Sequence, residues 1–295
     1  MEFDSVGSIV EVHTEPRSLT KDELLPAAWE FASPPMDEMW ECLQGYARRV
    51  RRIEFCAGEF ATPVVSYISS RLESGCGRPY LLPQIRWIRC FAVHNSPAFL
   101  SILRMMPPDL QAIRFDCLPG ASPATITQIF NTLSASPFRC ITSLTISGAS
   151  VAEQDVFDAL ASVVQLQSNL ERLELRHVPR VTAESLSRLG QHHRLVKLDI
   201  QHCGTSLEEV AAMFTTIGSS FPRLRSLDIW LDLGEDEVGV STIAGIGSCH
   251  ELRRLGVFCS RMKALTPQMM SEMRLWWPFM EDFWLGRSSS IPRGQ

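Results

Sequence analysis

The chain has 295 residues, 45% of them apolar, which is enough for one large core or two ordinary ones. A formal net charge of −5 and a pI near 5.8 exclude the global positive field that draws proteins to nucleic acid or to an anionic membrane, so such binding would need a local patch. No window approaches 18 uncharged apolar residues, so no transmembrane helix is expected, and the nine cysteines are scattered with no C-x-x-C pair.

The N-terminal MEFDSVGSIVEVHTEP begins with acids and has no apolar run of signal-peptide length, and no asparagine opens an N-x-S/T site. With several cysteines inside apolar strand-like runs, this points to a reducing intracellular compartment, cytoplasmic or nuclear. Residues 1–46 carry no repeat and are expected to form an N-terminal cap or the remnant of an upstream helical unit. Within and just beyond them, Glu38 to Val50 shows helical spacing at Met39, Leu43, Tyr46 and Val50.

From Val50 the chain counts. The pattern apolar-x-x-apolar-x-apolar occurs at Val50-Ile53-Phe55, Ile85-Ile88-Cys90, Leu110-Ile113-Phe115, Ile141-Leu144-Ile146, Leu170-Leu173-Leu175, Leu195-Leu198-Ile200, Leu224-Leu227-Ile229, Leu252-Leu255-Val257 and, most weakly, Met280-Phe283-Leu285. Successive units start 25 to 35 residues apart, about 29 on average. The last two apolar positions of each unit alternate with a polar residue, the period of a strand with one buried face. Between units, helical spacing predicts helices at Pro63–Leu72, Pro97–Met106, Pro123–Leu133, Val151–Leu166, Thr182–Leu189, Leu207–Ile217, Val238–Ile246 and Leu265–Leu275. Ser96-Pro97 and Ser122-Pro123 read as helix starts. The acidic run Leu233 to Val238 is expected to be a solvated loop opening the next helix. The tail 286–295, rich in Gly, Ser and Arg, is expected to be disordered.

Strand, turn and helix repeated about nine times over residues 47–285 predict an α/β solenoid, a horseshoe with a parallel concave sheet and outer helices. A doubly wound sheet also alternates strand and helix, but its strands are buried on both faces and read as continuous apolar runs. Here Arg, Glu, Asp, Lys and Thr stand between the apolar positions, so one face is wet.

The unit Leu195 to Cys203, LVKLDIQHC, resembles the L-x-x-L-x-L-x-x-N/C consensus of the leucine-rich repeat family. A closer likeness is to fungal F-box and leucine-rich-repeat proteins, carried by YARRVRRIEF (Tyr46 to Phe55) and LLPQIRWI (Leu81 to Ile88). That resemblance implies a substrate receptor of a cullin-based ubiquitin ligase, in which an F-box docks a Skp-family adaptor and the repeats hold the target. ELLPAAWEF (Glu23 to Phe31) offers fragments of F-box vocabulary, but Ser33-Pro34-Pro35 follows too soon for the remaining helices, so the F-box is expected to be absent or truncated. The alternative is a stand-alone repeat scaffold or regulator unconnected with ubiquitin.

There is no Walker loop, G-x-G-x-x-G, G-x-S-x-G or H-E-x-x-H, and neither an enzyme nor a cofactor is expected. The best metal grouping is His192, His193, His202 and Cys203. Cys203 fits an inward repeat position, and His192-His193 falls at a helix end where a cation suits the dipole, so no metal site is expected either.

A bound protein would meet the residues between the apolar positions. These are Arg52 and Glu54, Trp87 and Arg89, Ala112 and Arg114, Ser143 and Thr145, Arg172 and Glu174, Lys197 and Asp199, Ser226 and Asp228, then Arg254 and Gly256, with Trp230 and Phe258 just beyond. The candidate protein-binding residues are Arg52, Trp87, Arg89, Arg114, Arg172, Glu174, Lys197, Asp199, Asp228 and Trp230, because Arg and Trp most often dominate interface energetics. Wet strand faces are also polar without binding anything. The basic column Arg52, Arg89, Arg114 would attract phosphate too, but overall charge and the lack of stacking aromatics count against nucleic acid.

Overall fold

A computed structural model describes residues 37–56, 62–74, 80–93, 97–117, 122–136, 138–148, 154–178, 181–190, 194–203 and 206–287. Within them run strands β1 (Arg52–Cys56), β2 (Trp87–Val93), β3 (Ala112–Cys117), β4 (Ser143–Ser147), β5 (Arg172–Arg176), β6 (Lys197–Cys203), β7 (Ser226–Leu231), β8 (Glu237–Val238), β9 (Arg254–Cys259), β10 (Arg261–Met262) and β11 (Asp282–Arg287). The helices are α1 (Asp37–Ala47), α2 (Thr62–Glu73), α3 (Pro97–Arg104), α4 (Pro123–Ala135), α5 (Gln154–Leu166), α6 (Ala183–Leu189), α7 (Leu207–Ser220), α8 (Val240–Ile243) and α9 (Pro267–Trp276).

Nine strands form one parallel sheet in chain order, β1 through β7, then β9, then β11, while β8 and β10 make a separate two-residue pair. Each unit therefore adds its strand on the same side of the last, as a solenoid requires. The register follows the repeat: Ile53, Ile88, Ile113, Leu144, Leu173, Leu198, Leu227, Leu255 and Phe283 lie opposite one another across the sheet. One carbonyl before each strand accepts two consecutive N–H groups from the next unit; Arg51 takes Arg86 and Trp87, and Glu171 takes Val196 and Lys197. The same double acceptance recurs at Arg86, Gln111, Thr142, Val196, Arg225 and Arg253, which accounts for all eight joints between the nine units. The fold is an α/β solenoid of the leucine-rich-repeat type, with the helices outside and the concave sheet face open.

The core lies between strands and helices. In α5, Val156, Phe157, Leu160, Val163 and Val164 are buried at the spacing of one helix face. Pro97, Pro123 and Pro267 open their helices, where a missing N–H costs nothing. The repeat also reaches further back than its three apolar positions. Three residues before the first of them stands another buried group, as at Phe138, Gln167, Phe221, Cys249 and Trp277. Where that group has a donor it can serve the preceding unit: Gln167 Nε2 donates to the Phe138 carbonyl at 3.0 Å, and the Cys249 thiol to the Phe221 carbonyl at 3.7 Å.

Four local expectations change. On α1 the buried side chains are Trp40 and Ala47, whereas Leu43 and Tyr46 are exposed. The indole of Trp40 meets the Tyr67 ring of α2 edge-on, and Asp37 pairs with Arg71, so tertiary contact rotates the helix away from the face its sequence favours. The stretch expected to be one helix over Val238–Ile246 breaks into β8, the one-turn α8 and a 3-10 turn, Ala244–Ser248, because Gly239, Gly245 and Gly247 interrupt it. The acidic run does not open that helix: Leu233 and Val238 are buried, Glu237 and Val238 pair with β10, and Gly239 is the N-cap. At the C-terminal end β11 includes Gly286 and Arg287, the first two residues of the expected tail; the rest of the tail, and residues 1–36, lie outside the described residues.

Candidate functional site: the concave face

Side chains alternate across each strand, so three rows cross the concave face in register. The first row includes Arg52, Trp87, Ala112, Ser143, Arg172, Lys197, Ser226, Arg254 and Asp282. Glu54, Arg89, Arg114, Thr145, Glu174, Asp199, Asp228, Gly256 and Trp284 make the second row. Beyond the repeat motif, Phe91, Asp116, Arg176, Gln201, Trp230 and Phe258 begin a third.

This arrangement places all ten candidate residues on one face and ties most of them to one another. Arg52 donates to Glu54 at 2.7 Å and lies over the Trp87 ring, its guanidinium carbon 3.8 Å from the centroid. Arg89 donates to Asp116 at 2.6 Å, reaches Glu54 at 3.5 Å and covers the Phe91 ring at 4.1 Å. Arg114 bonds the same Asp116 at 3.0 Å. The expected basic column is therefore a paired network in which three arginines share two carboxylates, one of them an aspartate one row beyond the motif. Arg172 is exposed and, among the described residues, makes no ion pair.

Further along, Glu174 accepts from Lys197 at 2.9 Å and pairs with Arg176 at 2.9 Å. Burial works to raise the Glu174 carboxyl, but the Lys197 hydrogen bond and the charges of Lys197, Arg176 and Arg114 outweigh it and hold it below its usual value. Asp199 is 5% exposed, with Arg176 at 3.5 Å and Gln201 donating at 3.4 Å. Its burial pushes the carboxyl up to about 6, with Arg176 and Lys197 opposing and Glu174 and Asp228 adding to the rise. Asp228 is also raised by burial, against the pull of Lys197 and Arg254. Trp230 stacks at a tilt on Phe258, ring centroids 4.5 Å apart.

Three positions expected to face solvent, Thr145, Asp199 and Gly256, are buried instead, because neighbouring side chains on the same face cover them. Sequence reasoning missed Asp116, Arg176, Phe91 and Trp284. The signal for the first three was the next step of the same alternation, one residue past the last apolar position; Trp284 sits inside the weakest unit.

Of the metal grouping, His192, His193 and the side chain of His202 lie outside the described residues. Cys203 faces inward, its thiol 3.6 Å from the Trp230 carbonyl and pushed by burial up to about 12. Among the described residues no three His, Cys, Asp or Glu side chains are grouped to hold a metal ion, and no helix is long and apolar enough to cross a membrane.

No family model matches the sequence, and no curated protein matches it. Among solved structures, a chain from the crystal structure of a TLR13–ssRNA13 complex is similar with a TM-score of 0.41 at 11% identity, over 73% of this chain and 33% of that one. This chain thus spans about a third of the neighbour's length, and a likeness so distant carries no argument about ligands.

Proposed function

We propose that the protein is a non-enzymatic scaffold that holds a protein partner on its concave sheet face. The observation that carries this reading is the unbroken in-register face of nine strands, on which charged and aromatic side chains are held in place by one another. Such preorganised arginine and aromatic groups suit a partner interface, since little side-chain freedom is lost on binding. A photo-crosslinking amino acid at Arg172, on the concave face, is expected to capture a partner in cells that make the protein. The same group at Ser162, exposed on α5, is expected to capture none; capture from Ser162 alone overturns the reading.

The finer reading is the target-recognition part of an F-box-like receptor for a cullin-based ubiquitin ligase. What supports it is the resemblance carried by YARRVRRIEF, which spans the end of α1 and most of β1. Affinity purification is expected to recover a Skp-family adaptor and a cullin; reproducible partners without them would leave the stand-alone scaffold.

A further inference from the structure

Almost every carboxylate on the concave face has a counter-charge. Glu54 has Arg52, Asp116 has Arg89 and Arg114, Glu174 has Lys197 and Arg176, Asp199 has Arg176, and Asp282 has Arg254 at 3.3 Å. Asp228 is the exception: among the described residues it makes neither an ion pair nor a hydrogen bond. The cations that act on it are each engaged with another carboxylate, Lys197 with Glu174, Arg254 with Asp282 and Arg176 with Glu174 and Asp199.

Its surroundings are aromatic. Asp228 lies beside Gly256 in the sheet, and Trp284 lies beside Gly256 on the other side. A Cβ at Gly256 would stand 2.5 Å from the Asp228 carboxylate and 2.7 Å from the Phe258 ring, so the glycine is what lets carboxylate and ring settle side by side on bare backbone. Phe258 in turn stacks on Trp230, and Trp284 is 65% exposed. The result is a corner that has on its floor a half-buried carboxylate with no direct ion pair or hydrogen bond, and aromatic rings on its sides.

We infer that this corner is the anchor point for an arginine or lysine side chain of the protein partner. The inference rests on the concave-face reading above. A guanidinium or ammonium group there would supply the missing charge-assisted hydrogen bond and lie against ring faces, two attractions that strengthen as water leaves. A metal ion does not fit, because hard cations take several oxygen ligands and the corner offers one carboxylate. A phosphate-bearing partner does not fit either, since the unpaired charge is negative.

The probe is a fluorescent octaarginine peptide titrated into the full chain and followed by anisotropy at physiological salt. Saturable binding is expected, weakened about tenfold by Asp228→Asn and severalfold by Trp230→Leu, which keeps apolar bulk and removes the ring. Glu208→Gln, an exposed carboxylate on α7, should change it less than about twofold. Asp228→Asn neutralises an unpaired charge, so loss of fold does not confuse its result. Equal weakening by Asp228→Asn and Glu208→Gln, no effect of Trp230→Leu, or tighter binding of octaglutamate or oligouridylate each overturns the anchor. If octaarginine fails while Arg172 still crosslinks a partner, the anchor falls and the scaffold stands; if the Arg172 crosslink fails, both fall.

Discussion

Leu198 and Leu227 are fully buried on adjacent strands and paired in register, so truncating either to alanine should cost about 2–5 kcal/mol in a urea melt. Arginines on the other face do not behave as simple surface residues. Sequence alone marks Arg89 and Arg114 as exposed, worth about 0.5 kcal/mol. In the structure they share Asp116, a carboxylate with only 19% of its side chain exposed. Replacing both with alanine leaves that carboxylate unpaired and should cost about 1–3 kcal/mol, visible as a lowered unfolding midpoint. The Arg89–Asp116 and Lys197–Glu174 pairs were illegible because their members stand 27 and 23 positions apart in sequence and meet only through the register. Asp199 is the clearest case. Its folded-state value near 6 lies above the ordinary value of 3.8, so the folded protein holds an extra proton between them. Its contribution is therefore most favourable below pH 3.8 and is lost as pH rises through about 6. Asp199→Asn should stabilise the protein by on the order of 2 kcal/mol at pH 8, with the gain shrinking toward zero near pH 4.

Elements were legible where one period governed them. The strands follow from strict alternation, and α5 and α7 from a continuous apolar face. The stretch after β7 was not, because its glycines serve contact rather than helix. A Cβ at Gly218 in α7 would stand 2.2 Å from the Gly245 carbonyl, and one at Gly245 would stand 2.5 Å from the Thr215 nitrogen. Helix and 3-10 turn therefore touch backbone to backbone. Gly218→Ala, which helix propensity alone would favour, should instead destabilise by about 1–3 kcal/mol, and a thermal melt would show the reversal. The face of α1 was misread for a related reason: Trp40 finds Tyr67 across a gap in sequence that no local pattern spans.

At the scale of the whole molecule the two ends differ. Trp40 and Ala47 of α1 pack into the core at one end, whereas at the other Leu275, Phe279 and Trp284 are exposed beside β11, the last strand of the sheet among the described residues. Repeat arrays are stabilised by neighbours, so amide exchange should be slowest in β4 through β7 and fastest in β11. The exposed end should also self-associate. Replacing Leu275 and Phe279 with lysine should suppress light scattering while shifting stability by no more than about 0.5 kcal/mol each.

The twofold carbonyl joints have one more consequence. They tie each unit to the next at the inner rim, while the outer rim varies from the four-residue α8 to the fourteen-residue α7 without shifting the register of the first two concave rows. Insertions and deletions on the outer arc thus leave the side chains of those rows opposite the same neighbours. The length of a unit and the chemistry it displays are separately heritable, so the inner face can be rewritten one residue at a time while the outer arc drifts.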